Sequence, residues 1–332
     1  MLLKVADSLS PPYCPTFHKG HLLGVTCLAL YPNGSRCVTG SKDCCLIVWD
    51  VETGVKVKIL KGFRHKRDPK SHSDEILALA LSDDCNFLAS GGKDRIIQIW
   101  DPNTLDWICS LKGHKDSITG LKFAHNSHTL YSCSLDRTVK LWEVSDKVIL
   151  DTLHGHYTGV HDIDCYHNDK ALTCGFDCSV RMWKTSEETQ LVYNGHNESI
   201  DCIRIVNIEI FITGGQDGYI CVWKTGKKKP VGQLTSPHNG SWISSLAVLK
   251  NSDLLASGSN NGFINLYKIL ANSLLKLTEI PVAGYITALE FSKTGKFLIA
   301  CISPDHKLGR WNSSQKVKPG LTVIPLHLTI PS

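Results

Sequence analysis

No CxxC pair occurs in this chain although it holds fourteen cysteines, and the close pair Cys174 and Cys178 has no histidine pair at zinc-finger spacing. Metal scaffolds of that type are excluded, and reduced thiols packed in strands are expected. Long apolar runs are missing as well. The opening MLLKVADSLSPPYCP has no apolar core of signal-peptide length, and no later segment approaches the about 20 apolar residues of a membrane span. Neither charge sign dominates: 36 basic residues against 31 acidic ones leave a net +5, with a pI near 8.4. This mild basic balance permits RNA or another acidic partner without demanding one.

What the chain does have is repetition. The run from Leu111 to Leu153 shows the unit at its most regular: LKGHKDSITGLKF, a turn through AHNSH, TLYSCS, a turn at Leu135-Asp136, RTVKLWEV, a polar break, and VILDTL. Four short runs of alternating apolar and polar residues separated by turn residues predict a four-stranded antiparallel meander. A unit this small cannot bury enough apolar surface alone, so its copies must stack.

Tryptophan recurs at Trp49, Trp100, Trp142, Trp183, Trp223 and Trp311, with Tyr267 in the remaining copy. Six residues before each stands Asp43, Asp94, Asp136, Asp177, Asp217 or Asp305, with Asn261 in the degenerate copy. Four residues earlier stands Thr39, Ser90, Ser132, Thr173, Thr213 or Ser257, with Cys301 in the last copy. His21, His72, His114, His156, His196 and His238 open the units, usually after Gly. On these residues the chain resembles the WD-repeat family over about residues 20 to 311, in seven units of roughly 40 residues. The expected fold is all-β, a single-domain seven-bladed WD-repeat β-propeller. Its expected bounds are residues 18–328, after a lead-in of residues 1–17 and before a tail of residues 329–332, with blades ending near Trp49, Trp100, Trp142, Trp183, Trp223, Tyr267 and Trp311.

The spacing has a chemical reason. In a meander, the connection from strand d to the next strand a and the connection from b to c leave from the same end. The imidazole and the carboxylate therefore meet at one rim, and the hydroxyl and indole N–H extend the hydrogen-bond chain inward. A Ser, His and Asp set suggests a hydrolase at first sight. Catalytic sets are singular, however, and this one repeats five times in full, so the expected role is structural and no enzyme is predicted. No metal or other cofactor is expected.

Departures from the repeat mark candidate binding residues. Between blades one and two, KGFRHKRDPKS carries Lys61, Arg64, His65, Lys66, Arg67 and Lys70 against the single acid Asp68, on the rim of the His and Asp residues. Such a cluster suits phosphate. Lys224 and Lys227 to Lys229 fall on a c-to-d turn at the opposite rim, where a solvated turn competes with a second RNA contact or a nuclear-import signal. Blade six carries Pro237-His238, Asn261 and Tyr267, which weakens its chain of hydrogen bonds. Blade seven lacks the histidine after Gly284, and its b-to-c turn SPDHKLGRW brings His306, Lys307 and Arg310 to the rim. Ring closure places that turn beside the basic insertion. GLTVIPL, residues 320 to 326, is expected to supply the outer strand of blade seven, with YCPTF near the N-terminus as the competitor.

Runs outside the generic positions narrow the resemblance. ETQLVYNGHNESIDCI, SWISSLAVLKNSDLLASGS, DHKLGRW and the closing VIPL resemble the WD-repeat proteins of the U3 small nucleolar ribonucleoprotein. That resemblance implies a non-enzymatic RNA-binding subunit contacting box B/C of U3 snoRNA beside a kink-turn-binding protein, in the nucleus and nucleolus. It further implies membership of the small-subunit processome, which supports rRNA processing in ribosome biogenesis, as a monomeric propeller with no membrane association. The family uses the blade-seven b-to-c loop for RNP association, here Ser303 to Arg310. Arg310 and Lys307 would then contact phosphates or the neighbouring protein, with Arg64, Lys66 and Arg67 extending the footprint. Family members carry a charged extension with nuclear-localisation signals before the propeller. Here twenty residues precede His21, so import would rest on Lys227 to Lys229 unless the chain is a shortened form. The rival is an adaptor whose rim captures acidic peptides in a ubiquitin-ligase, chromatin or signalling complex.

Overall fold

The computed structural model describes residues 14–62, 70–167, 169–309 and 317–326. Among them, the alternating runs form seven antiparallel four-stranded sheets arranged as a propeller. The third blade illustrates the build: strands Ile118–Phe123, Thr129–Ser134, Thr138–Glu143 and Val148–His154 pair in sequence order. Alternation places one set of side chains on each face of a blade, and both faces are covered by neighbouring blades. The apolar core is accordingly a ring of inter-blade clusters. Cys133, Val139 and Leu141 of blade three pack with Val160, Ile163 and Trp183 of blade four, and Val25, Ile47 and Trp49 of blade one pack with Ile299, Cys301 and Leu321 of blade seven. Cys27, Cys37, Cys133, Cys165, Cys202, Cys221 and Cys301 are buried in strands as free thiols.

Closure differs from the expectation. The strand Gly320–Pro325 pairs with Phe297–Ser303 and is the third strand of blade seven. The outer strand is Thr16–Lys19 from the N-terminal end, paired Thr16 to Val323 and Lys19 to Gly320. The lead-in predicted through residue 17 therefore ends before Thr16, and joining the two ends of the chain in one sheet is what shuts the ring. Residues 1–13 and the predicted tail 329–332 lie outside the described residues.

Register also corrects the reading of blade seven. In blade three Leu130 faces Trp142, and the hydroxyl of Ser132 lies two residues further on. In blade seven the corresponding pair is Leu298 and Ile324, so Ile324 takes the indole's place and Ala300, rather than Cys301, the hydroxyl's. The spacing of Asp305 and Trp311 matched the repeat without being part of it: blade seven's third strand ends at Pro325, and Trp311 lies outside the described residues.

Each pairing of strand a with strand b carries a register shift near its start, leaving Thr26, Leu77, Thr119, His161, Asp201, Ser244 and Thr287 as the extra residues. A bulge re-aims its extra side chain. These residues all line a central channel of about 570 Å³, near the rim on which the repeat histidines lie. Several also tie blades together, as Thr119 donates to the Val160 carbonyl (2.6 Å) and Thr287 to that of Val25 (2.7 Å).

Candidate nucleic-acid interface

The repeated polar sets form the foundation of this rim. In blades one to five the imidazole Nε2 lies 2.7–2.8 Å from the hydroxyls of Thr39, Ser90, Ser132, Thr173 and Thr213. The indole N–H groups of Trp49, Trp100, Trp142, Trp183 and Trp223 donate to the same oxygens at 2.7–2.8 Å. Nδ1 of His21, His72, His114, His156 and His196 contacts Asp43, Asp94, Asp136, Asp177 and Asp217 at 2.7–3.1 Å. Because Nδ1 faces a carboxylate it carries the proton, so Nε2 accepts from the hydroxyl, which in turn accepts from the indole. Burial pushes the Asp43 and Asp177 carboxyls up, but bonds from His21 and His156 outweigh it and hold both at about 2. These groups are consumed in holding turns, which leaves none of them poised as a nucleophile.

Blade six keeps a looser version. His238 Nε2 lies 2.7 Å from Ser257, but Nδ1 to Asn261 is 3.3 Å and Ser257 to the Tyr267 hydroxyl is 3.5 Å. Without a carboxylate partner, burial pushes the His238 imidazole down to about 4, against a small opposing effect of Asn261.

The blade-seven turn does something else. Rather than presenting His306 and Lys307 to solvent, it folds them into the channel mouth. His306 is 5% exposed, stands edge-on to Trp242 of blade six (ring centroids 5.5 Å apart) and lies 3.8 Å from Asp201 of blade five. Lys307 Nζ donates to the Thr119 carbonyl of blade three at 3.1 Å. Asp305 pairs at 3.2 Å with Lys42 of blade one, whose ammonium also donates to the carbonyls of His306 (2.5 Å) and Gly309 (2.7 Å). Lys42 is almost fully buried; burial lowers its pKa and Asp305 opposes that shift. A Cβ at Gly24 would stand 2.2 Å from the Ser303 hydroxyl and 2.6 Å from the Asp305 carboxylate, so only glycine lets blade one approach this closely. The turn is thus bolted across the ring to blades one, three and five. The channel offers polar partners to both inward side chains: the Thr119 carbonyl accepts from the Lys307 ammonium, and His306 adds to an Asp201 carboxylate already paired with His161 at 2.9 Å.

Of the other predicted contact residues, Arg310, Arg64, Lys66 and Arg67 lie outside the described residues. The residues flanking them are basic and exposed. Lys61 and Lys70 frame the insertion, and Arg95, Lys115 and Arg137 continue onto blades two and three. Lys93 is paired with Glu75 at 2.8 Å. Sequence reading missed Arg95, Lys115 and Arg137, although a signal existed. Each directly follows a repeat Asp or His, Asp94, His114 or Asp136, and that neighbour is held at the rim by the polar set. The described rim is therefore a basic arc over blades one to three, with the bolted turn closing the channel beside it.

Comparison with known proteins agrees with this architecture. The family described as "WD domain, G-beta repeat" matches residues 13–50, 64–101, 106–143, 147–184, 187–224 and 228–268. U3 small nucleolar RNA-interacting protein 2 of Mus musculus is 37% identical over 93% of this chain and 68% of its own length. The chain belongs to the U3 snoRNP-associated WD-repeat family. The Arabidopsis thaliana "U3 snoRNP-associated protein-like YAO" is 36% identical over the same shares of the two chains. A solved structure titled "Structure of U3-55K" superposes with a TM-score of 0.91 at 36% identity, covering 94% of this chain and 98% of that one. The six repeat matches end at residue 268, before the blade whose register departs from the pattern.

Proposed function

We propose that this chain is a non-enzymatic subunit of the U3 small nucleolar RNP, working in the nucleolus. It docks its histidine-bearing rim on the box B/C region of U3 snoRNA beside a kink-turn-binding protein and supports pre-rRNA processing within the small-subunit processome. The observation that carries this reading is the match to U3 RNA-interacting relatives along 93% of the chain, rather than at the repeat positions alone. A rim with exposed Lys61, Lys70, Arg95, Lys115 and Arg137 supports it. Arg310, Arg64, Lys66 and Arg67 extend that footprint, and phosphate contacts of this kind position the protein without reading sequence. The described part of the blade-seven loop, Ser303 to Gly309, contributes by being held by Lys42, His306 and Lys307, and Arg310, next in sequence, makes the contact. A paired A-form stem offers mainly shape and phosphates, so specificity resides in the kinked RNA with its bound protein.

The test is a gel-shift titration of box B/C RNA preloaded with the kink-turn-binding protein. Affinity should fall steeply with salt, and Arg310→Ala should weaken the ternary complex while leaving the melting temperature unchanged. Binding that ignores salt, or a tagged complex whose partners survive nuclease treatment, would instead favour capture of acidic peptides.

A further inference from the structure

We propose that blades two to four of this rim form a binding site for an unpaired RNA strand, with phosphates on Arg95, Lys115 and Arg137 and bases stacked on Tyr157 and Phe176. The cationic part is contiguous. Arg95 Nη1 donates to the Lys115 carbonyl at 3.3 Å, joining the b-to-c turn of blade two to the d-to-a turn of blade three. Arg137 occupies the next b-to-c turn. Arg95 and Arg137 have φ of 64° and 71°, where Gly218 and Gly262 stand in blades five and six at 72° and 81°. Side chains are disfavoured in this left-handed region, and glycine would relieve the turn. Blades one and four carry Cys44 and Cys178 at this position, at 65° and 57°, so the turn accepts a side chain, and in blades two and three that side chain is an exposed cation.

The aromatic part begins where the cations end. Tyr157 directly follows the repeat histidine of blade four and is 79% exposed. The buried guanidinium of Arg181, anchored to Gln190 at 2.9 Å, lies 5.4 Å from its ring centroid. That contact fixes the ring from one side and leaves it standing out of the surface. Phe176, 44% exposed, meets His161 edge-on with centroids 3.9 Å apart. A Cβ at Gly159 would fall 2.8 Å from Leu135 and 3.4 Å from Phe176, so Leu135 and Phe176 border one shallow apolar floor beside Arg137.

Chemistry selects the ligand. Exposed aromatic faces stack with unpaired bases whatever their sequence, whereas duplex bases are already stacked. An acidic peptide would satisfy the cations, but its carboxylates are repelled by the negative ring faces. The nearby acids are mostly set back from the surface: the carboxylates of Asp94, Asp136 and Asp177 are buried against their histidines, which leaves the exposed Asp116, bonded to the Ser117 amide at 2.6 Å, and Glu198 of blade five against the three cations. This inference rests on the RNP reading only for the source of the strand.

Fluorescence anisotropy of the full chain with a labelled RNA of about 12 nucleotides lacking self-complementarity tests it at low salt. Tyr157→Ala should weaken the strand about 5- to 10-fold and Tyr157→Phe should restore it, while a duplex of the same sequence ignores both. Arg95→Ala with Arg137→Ala should weaken strand and duplex alike and flatten the salt dependence. Tyr157 is exposed, so melting temperatures should agree. No binding by the parent, equal binding by Tyr157→Ala, or an oligoglutamate peptide that depends on Tyr157 as strongly as the strand would each overturn the proposal. None of these outcomes bears on box B/C recovery, so the two readings fail separately.

Discussion

Replacing Ser132 by Ala removes one oxygen and strands two groups. Its hydroxyl lies 2.7 Å from His114 Nε2 and accepts the Trp142 indole N–H at 2.7 Å. Both partners are buried, at 7% and 2% exposure, so water cannot replace the lost atom. A buried polar group left without a partner costs about 1–3 kcal/mol, which gives about 2–6 kcal/mol for the pair. That is a large fraction of an ordinary net stability of about 5–15 kcal/mol. Urea denaturation followed by tryptophan fluorescence should show a midpoint lowered by about 1 M. Blade seven provides the converse: Ala300 holds the hydroxyl's position with Ile324 in place of the indole. Ala300→Ser would therefore bury an oxygen without partners and destabilise as well. A Ser132→Ala loss below about 0.5 kcal/mol, or a gain in Ala300→Ser, would refute the claim that these chains hold the blades together.

Lys42→Met should leave Asp305 buried without its cation and free the blade-seven turn, read as faster proteolysis within residues 304–309 and loss of the ternary RNA complex; adding Asp305→Asn should recover part of the stability. Acid should weaken the fold in two stages. The His238 pKa falls from 6.5 to about 4 on folding, so its share is complete above 6.5 and lost as pH drops towards 4. Asp43 and Asp177 fall from 3.8 to about 2, so theirs is lost between those values, and His238→Gln should flatten only the first stage of a midpoint-against-pH curve. Glu290 has the opposite sign: burial raises its pKa from 4.5 to about 7, against Lys122 and the Leu30 amide, so its share is present below 4.5 and lost as pH rises through 7. Glu290→Gln should accordingly raise the midpoint at pH above 7 relative to the parent and remove that slope.

Most of the propeller was legible because its stabilising groups recur. Residues such as His114, Ser132, Asp136 and Trp142 must meet at a fixed point of each meander, so chemistry imposes spacing and spacing reveals the blade. Blade seven was misread for the same reason. Asp305 and Trp311 satisfied the spacing, but strand identity follows the hydrogen-bond ladder, which gives the third place to Gly320–Pro325 and the outer place to Thr16–Lys19. With no histidine and no indole to fix it, that copy carried no local sign of its register. The channel was harder still. His306 and Lys307 read as solvent-facing charges because their partners, Asp201 and Thr119, come from blades five and three and are re-aimed by bulges that no periodicity announces. Arg95, Arg137 and Tyr157 were visible as neighbours of repeat residues, but their exposure follows only once the polar sets are placed at the rim.

Crosslinking and immunoprecipitation of the tagged chain from cells, followed by sequencing of the recovered RNA, tests the central claim most directly, with Lys307→Ala/Arg310→Ala as the paired control. The account predicts U3 RNA enriched at box B/C with the parent chain and depleted with the double variant. A well-expressed nuclear protein that recovers no U3 RNA would contradict it.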